Sequence, residues 1–165
     1  MSEFGALSGH LGYLLHRTDL QLIGRVTHAL AGFGVTPARA SALVYIALHE
    51  GCDQMALGRA LGVNRTSTMN AVDELVALGA VERRPGRDRR SNALHLSVEG
   101  RTLRPRIEAA TAAADAANFR VLSDEEQDSL RSILKKLHDF DFANQPEPVV
   151  EQGSDNEHLE PAVSN

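Results

Sequence analysis

One segment near the middle of the chain constrains the fold most, because it predicts two short helices separated by a very tight turn. Asp53 is a suitable N-cap for a first helix over residues 54–61, and Asn64 for a second helix over about 65–78. Gly62 lies in the turn between them. Two short helices joined by a three- to four-residue turn with Gly form the helix-turn-helix pattern. This pattern alone is only moderately specific, since helix pairs with a Gly turn occur in many bundles.

The residues that follow this helix pair change their hydrophobic period. Val81-Glu82-Arg83 and Leu94-His95-Leu96 alternate apolar and polar residues, as half-buried strands do. Between them, Pro85-Gly86-Arg87-Asp88-Arg89-Arg90 is a turn cluster followed by charges. We therefore predict a β-hairpin with a cationic tip. A hairpin directly after a helix-turn-helix favours a winged helix-turn-helix domain over an ordinary bundle.

Helices are also predicted on both sides of this unit. A first helix spans about residues 7–31, and Thr36-Pro37 supplies an N-cap and a first-turn proline for a second helix that ends near residue 50. Ser97 caps a helix that ends near residue 121, and Ser123-Asp-Glu-Glu126 has the capping-box spacing for a last helix that ends near residue 142. The predicted fold is mainly α with a small β-hairpin wing.

The predicted organisation places the winged domain between two sets of dimerisation helices. The first helix and the last two carry more apolar surface than their own small domain needs, and pairing of two copies would bury it. The last residues combine prolines with scattered acids, which predicts an acidic disordered tail. The predicted boundaries are 1–35 for the N-terminal dimerisation helix, 36–97 for the winged domain (recognition helix 65–78, wing 80–97), 98–144 for the C-terminal dimerisation helices and 145–165 for the tail.

The distribution of charge is more informative than the net charge of −5. The tail holds five acids and no Lys or Arg, which leaves 17 acids and 17 bases in residues 1–144. Within that neutral body, residues 82–106 contain eight Arg against three acids. A local basic region on a neutral body is compatible with DNA binding.

The candidate DNA-contacting residues lie at the start of the second short helix and at the hairpin tip. From the major groove, Arg65 suits guanine, Asn70 suits adenine and the hydroxyls suit phosphates. At the tip, Asp88 can orient Arg90, and an Arg in a narrow minor groove gains from the negative potential there. The alternatives are capping or surface roles for the hydroxyls and a solvated charged turn for the tip. The predicted DNA-binding residues are Arg65, Thr66, Ser67, Thr68, Asn70, Arg87, Asp88, Arg89 and Arg90.

Seven short motifs are spread over about residues 7–142. They are Thr36-Pro37-Ala38-Arg39, Leu61-Gly62-Val63-Asn64-Arg65, Val72-Asp73-Glu74-Leu75, Gly79-Ala-Val-Glu-Arg-Arg84, Asp88-Arg89-Arg90, Leu96-Ser-Val-Glu-Gly-Arg101 and Leu122-Ser-Asp-Glu-Glu126. Together they resemble the MarR family of multiple-antibiotic-resistance-type regulators. The resemblance implies a homodimer with interlocked terminal helices that binds a palindromic operator, usually as a repressor released by a small ligand. It also implies that Asp88 and Arg90 are the wing pair and 65–70 the recognition segment, although the family often has an Arg where this chain has Asn70 and an apolar residue where it has Thr68.

The resemblance further implies a site for a small, often aromatic or acidic, ligand between the dimerisation helices and the winged domain. An Arg or His at such a site can hold a carboxylate. The predicted ligand residues are His16, Arg17 and Tyr45. The alternative for each is a surface residue or a satisfied core residue.

Other classes of function are disfavoured by the sequence. No spacing of His, Cys and acids predicts a metal site, the nearest approach being His49-Glu50 with Cys52, and no cofactor is predicted. Cys52 lacks an adjacent base and is interpreted as a plain thiol, since the hydroperoxide-sensing branch of the family carries its reactive Cys in the first helix.

The sequence also lacks the motifs that predict an enzyme or a membrane protein. It has no Gly-rich phosphate loop and no nucleophile elbow, so we expect no enzymatic activity. It has no signal peptide and no apolar run of about 20 residues, which predicts a cytoplasmic protein without a membrane partner. The remaining alternative is a winged module that binds another protein and does not bind DNA.

Overall fold

The computed structural model describes residues 2–86 and 92–140, and it confirms the mainly helical fold with a two-stranded antiparallel hairpin. A short 3-10 segment, Ser2–Gly9, precedes the first helix, and a 3-10 turn, Ala31–Phe33, follows it. The wing tip (87–90) and the tail (145–165) lie outside the described residues. The regular elements are α1 (Leu11–Leu30), α2 (Pro37–Leu48), α3 (Gln54–Leu61), α4 (Arg65–Ala77), β1 (Val81–Pro85), β2 (Asn92–Leu96), α5 (Val98–Phe119) and α6 (Asp124–His138).

Five of the six helices begin at the capping residues that the sequence predicts. In each case the cap side chain accepts a hydrogen bond from a backbone N–H in the first turn, which contributes about 1 kcal/mol per cap. The capping box of α6 is complete, since the Glu126 side chain also accepts from the Ser123 N–H at 2.8 Å. The five caps are Thr36, Asp53, Asn64, Ser97 and Ser123.

The start of α1 differs from the prediction. The helix begins at Leu11, four residues later than expected. Gly5 interrupts the preceding 3-10 segment with a positive φ of 53°. Gly5, Gly9 and Gly12 together lower the helical propensity of this stretch, because each costs about 1 kcal/mol relative to Ala in a helix.

The core of the winged domain receives side chains from five helices and from both strands. Its largest members are at most 1 % exposed, and burial of each contributes about 1.5–3 kcal/mol. The winged domain therefore shares its core with α1 and α5 and is not an appended unit. The large aliphatic members are Leu30, Leu43, Ile46, Leu57, Val72, Leu75, Leu94 and Ile107.

The hairpin is fixed at its base to the rest of the domain. Val81 pairs with Leu96, and both side chains are buried at this end of the sheet. The Gly51 N–H donates to the Leu94 carbonyl at 2.8 Å, and the Leu94 N–H donates to the Cys52 carbonyl at 2.9 Å. The loop between α2 and α3 therefore pairs with β2 through a single antiparallel β-bridge between Cys52 and Leu94.

Helix α6 belongs to a second compact unit that begins at Ser123. Its first turn is acidic and its last turn is basic, which complements the helix dipole at both ends. Leu130, Ile133, Leu134 and Leu137 recur at helical spacing and form one apolar stripe, and the last three are 39–57 % exposed.

Within residues 2–86 and 92–140, no single helix is long and apolar enough to cross a membrane. The bent pair Leu11–Phe33 and Pro37–Leu48 passes that test only when its members are taken together, and they meet at 69°.

Candidate nucleic-acid interface

The first two turns of α4 present a row of polar side chains to solvent. Arg65, Thr66, Ser67 and Asn70 are all exposed. The Asn64 carboxamide oxygen accepts from the Ser67 N–H at 2.9 Å, so this end of the helix is capped from within. The exposed side chains are thus free to contact an external partner.

Thr68, a predicted DNA-binding residue, lies on the opposite side of α4. Its side chain is 1 % exposed, and its hydroxyl donates to the Asn64 carbonyl at 3.0 Å. It shares the buried face of α4 with Val72 and Leu75, at spacings of four and three residues. Thr68 therefore packs α4 against α3 and cannot reach a base or a phosphate, and its inclusion among the DNA-contacting residues was wrong.

A groove of about 620 Å³ lies beside the exposed turn of α4. It is formed by α3, the turn between α3 and α4, the first turn of α4 and the first residue of β2. Three polar residues of this groove, Gln54, Arg59 and Asn92, were missed by the sequence reasoning. The position of two of them in the sequence indicates this placement, because Gln54 and Asn92 begin the elements that flank the predicted recognition helix.

The acidic residues of α4 are paired with arginines from two other elements. Asp73 forms an ion pair with Arg83 of β1, and Glu74 forms one with Arg39 of α2. Exposed ion pairs contribute only about 0–1 kcal/mol each. Here they neutralise both carboxylates of α4, and they connect this helix to β1 and to α2.

Three side chains from separate elements meet at the base of the wing. The Glu50 carboxylate, after α2, lies 2.8 Å from His95 Nδ1 on β2 and 2.8 Å from the Arg101 guanidinium on α5. Burial raises the pKa of Glu50, but hydrogen bonds from His95 and Arg101 outweigh it, so the pKa is lowered overall. This cluster holds the angle between β2 and the body of the domain.

A second cavity, of about 410 Å³, lies between α1, α2 and α5. Its walls are mainly apolar, and Tyr45 lines it with its ring stacked on His49 at 4.3 Å between centroids. We call this space the interhelical cavity. Its lining residues are Val26, Leu30, Pro37, Ala40, Ser41, Val44, Tyr45, Leu48, Leu61, Ile107, Glu108 and Thr111.

Comparisons with known proteins agree with this geometry. The MarR family profile matches residues 33–91. A putative transcriptional regulatory protein for the hcr operon of Thauera aromatica is 32 % identical over 136 residues, which cover 81 % of this chain and 82 % of that protein. The chain belongs to the MarR family of transcriptional regulators.

Two solved structures that are similar to this chain carry bound partners. The repressor CouR of Rhodococcus jostii RHA1, bound to a 23-mer DNA duplex, has a TM-score of 0.78 and 28 % identity, covering 84 % of this chain and 99 % of CouR. The Mycobacterium tuberculosis MarR family protein Rv2887, in complex with salicylic acid, has a TM-score of 0.65 and 31 % identity, covering 78 % of this chain and 96 % of Rv2887.

The structure of this MarR-family chain places only one of the three predicted ligand residues at the interhelical cavity. Tyr45 lines it, whereas His16 and Arg17 do not. They precede Val26, the first lining residue of α1, by nine or more positions, which is about 14 Å along the helix. Arg17 instead lies 6.0 Å from the centroid of the Phe4 ring. His16 and Arg17 therefore lie outside the interhelical cavity.

The environment of Cys52 favours the protonated thiol. Burial and the neighbouring Asp53 carboxylate raise its pKa. No group of three His, Cys or acidic side chains suited to a metal ion occurs among residues 2–86 and 92–140.

Proposed function

We propose that this chain is a DNA-binding regulator whose recognition helix is α4. We assign it as a repressor because several of its relatives are described as repressors. The observation that carries the proposal is the exposed polar row at the start of α4, next to a groove and to the base of the hairpin. Arg65 and Asn70 are assigned to base edges, and Thr66 and Ser67 to phosphates or bases. The wing residues Arg87, Arg89 and Arg90 are assigned to the adjacent minor groove and backbone, and Asp88 is assigned to orienting Arg90.

We infer that the functional form is a homodimer. Exposed apolar side chains concentrate before and along α1 and on α6, which is more than isolated surface residues account for. A two-fold dimer would present two copies of α4 about 34 Å apart, as a palindromic operator requires. The exposed residues assigned to the interface are Phe4, Leu7, Leu11, Leu15, Leu20, Ile23, Ile133, Leu134 and Leu137.

We assign the interhelical cavity as the effector site. It joins α1, a dimerisation helix, to α2 and to the end of α3, so an occupant can change the angle between the dimer core and the winged domain. A difference of about 1–3 kcal/mol in effector affinity between DNA-competent and incompetent states gives roughly 5–150-fold regulation. We assign no enzymatic step to this chain, and we propose the cytoplasm as its place of action.

The proposal is tested by fluorescence anisotropy with the DNA upstream of the chain's own gene and with a scrambled duplex, at two salt concentrations. Binding to the upstream duplex should be tighter, and its affinity should fall steeply with salt because phosphate contacts release counterions. Equal and weak binding to both duplexes would instead favour the alternative of a winged module that binds a protein.

A further inference from the structure

We propose that the interhelical cavity selects uncharged or cationic, largely apolar molecules and discriminates against organic carboxylates. This inference rests on the proposed function, because it defines the effector of the same DNA-binding regulator. It separates this chain from its relative Rv2887, whose structure was solved with salicylic acid.

The walls of the cavity leave few polar atoms for a ligand. Nine of its twelve lining residues are Ala, Val, Leu, Ile, Pro or Tyr. The Ser41 hydroxyl already donates to the Pro37 carbonyl at 3.1 Å within α2. A volume of about 410 Å³ suits a small molecule of one or two rings.

The charge at the cavity has the wrong sign for a carboxylate. Glu108 alone among the described lining residues carries a charge, and none of them is Lys, Arg or His. A bound carboxylate would lose water without gaining a cation, and Glu108 would repel it. A phenol, an amide or an ammonium group can instead donate to Glu108.

Arg104, which lies one helical turn before Glu108 on α5, is already engaged. Arg104 Nε donates to Glu108 Oε1 at 2.8 Å, one helical turn away on α5, and both side chains are only partly exposed, at 33 % and 42 %. A carboxylate ligand could recruit Arg104 only by displacing Glu108 from it. Glu108 therefore competes with an anionic ligand for Arg104.

The first experiment measures direct binding to the full-length protein by calorimetry, with ligand pairs matched in shape. The probes are salicylamide against salicylate, methyl 4-hydroxybenzoate against 4-hydroxybenzoate, and tyramine against 4-hydroxyphenylacetate. The uncharged or cationic member of a pair should bind at least ten-fold more tightly. Tighter or equal binding of the carboxylates, or no binding by any uncharged or cationic member, overturns the proposal.

A second experiment tests the assigned cause through Glu108→Gln. This change keeps the shape but removes the charge and frees Arg104, so the preference should move toward the carboxylate by ten-fold or more. Asp115→Asn is the control, since it removes one charge from an exposed position of the same helix outside the cavity. Equal shifts in both variants would refute the role of Glu108.

Release of a labelled operator duplex by the same probes separates this inference from the proposed function. If the protein binds the operator and a carboxylate releases it best, the inference fails while the regulator assignment stands. If no duplex is bound selectively, the regulator assignment fails, and calorimetry still reports the charge preference of the cavity.

Discussion

Gly58 of α3 faces Thr68 of α4 so closely that a Cβ on Gly58 would lie 2.8 Å from the Thr68 hydroxyl oxygen. The next nearest atoms, the Val63 carbonyl oxygen and the Thr68 Cβ, would lie at 3.5 and 3.7 Å. The two helices of the helix-turn-helix therefore approach closely at this point. Both partners are buried, so the contact sets the distance of the recognition helix from its support.

We predict that Gly58→Ala destabilises the protein, although alanine is the better helix former. Overpacking costs about 1–3 kcal/mol, and the gain in helical propensity returns about 1 kcal/mol. In a Thr68→Ala background the clash is gone, so Gly58→Ala should be neutral or stabilising. Urea unfolding of the four proteins in this cycle measures the coupling, and strictly additive effects would show that the two residues do not meet.

We predict that Asn70→Ala weakens operator binding selectively. Loss of a bidentate contact to a base should cost about 1–3 kcal/mol on the operator, roughly 5–150-fold in affinity, and little on a scrambled duplex.

Arg90→Ala should weaken binding to both duplexes and reduce the salt slope by about one, because it removes a phosphate or minor-groove charge. Anisotropy titrations measure both variants, and unchanged affinity in both would show that the winged surface is not the DNA-binding surface.

The elements were predictable because their signals are local. Caps such as Asp53 and Asn64 act within one helical turn, and the alternation around Val81 depends only on the neighbouring residues. The burial of Thr68 was also readable, since it shares a helical face with Val72 and Leu75. The polar residues at the start of α4 are alike in chemical type, and only helical phase separates Thr68 from the exposed ones.

The tertiary pairs could not be predicted in this way. Arg39 and Glu74 are 35 positions apart, and their ion pair depends on how α2 crosses α4. The exclusion of His16 and Arg17 from the interhelical cavity likewise depends on where α5 crosses α1. Such facts follow from the packing of whole helices, which single-residue patterns do not contain.

We predict that Glu50 supports the fold in a pH-dependent way. Because its pKa is lowered in the folded state, its stabilisation is fully present above the pKa of an unfolded Glu, about 4.3, and is lost as the pH falls through the lower folded value. Glu50→Gln should therefore cost up to about 1 kcal/mol at pH 7 and progressively less below about pH 4.3. Unfolding free energies of both proteins between pH 7 and pH 3 measure this difference. A difference that is constant over this range would show that the carboxylate charge has no part in bracing the wing.

We predict that Gly100→Ala is among the most damaging small changes in the described part of the chain. A Cβ at this position would overlap the Ala80 carbonyl, which already accepts the Ser97 N–H at 3.1 Å where the wing meets α5. Backbone cannot rotate away as a side chain can, so the cost should exceed about 3 kcal/mol. Gly24→Ala, on an exposed and open position of α1, is the matched control. Similar unfolding midpoints in urea for the two variants would contradict this packing.

We predict that Leu137→Glu on α6 shifts the protein from dimer to monomer. Leu137 lies on the apolar stripe of α6 and is 42 % exposed in the single chain, as expected of a side chain that a second subunit covers. A buried carboxylate without a partner is expensive, and a dimer interface offers none at an apolar contact. Ser132→Glu adds the same charge to an exposed position about 140° away around the helix and should leave the dimer intact. Sedimentation velocity over a range of concentrations measures the two states, and operator affinity of Leu137→Glu should fall by at least ten-fold, because a monomer engages one half-site only. If Leu137→Glu remains dimeric at low micromolar concentration, the apolar stripe of α6 is not part of the interface.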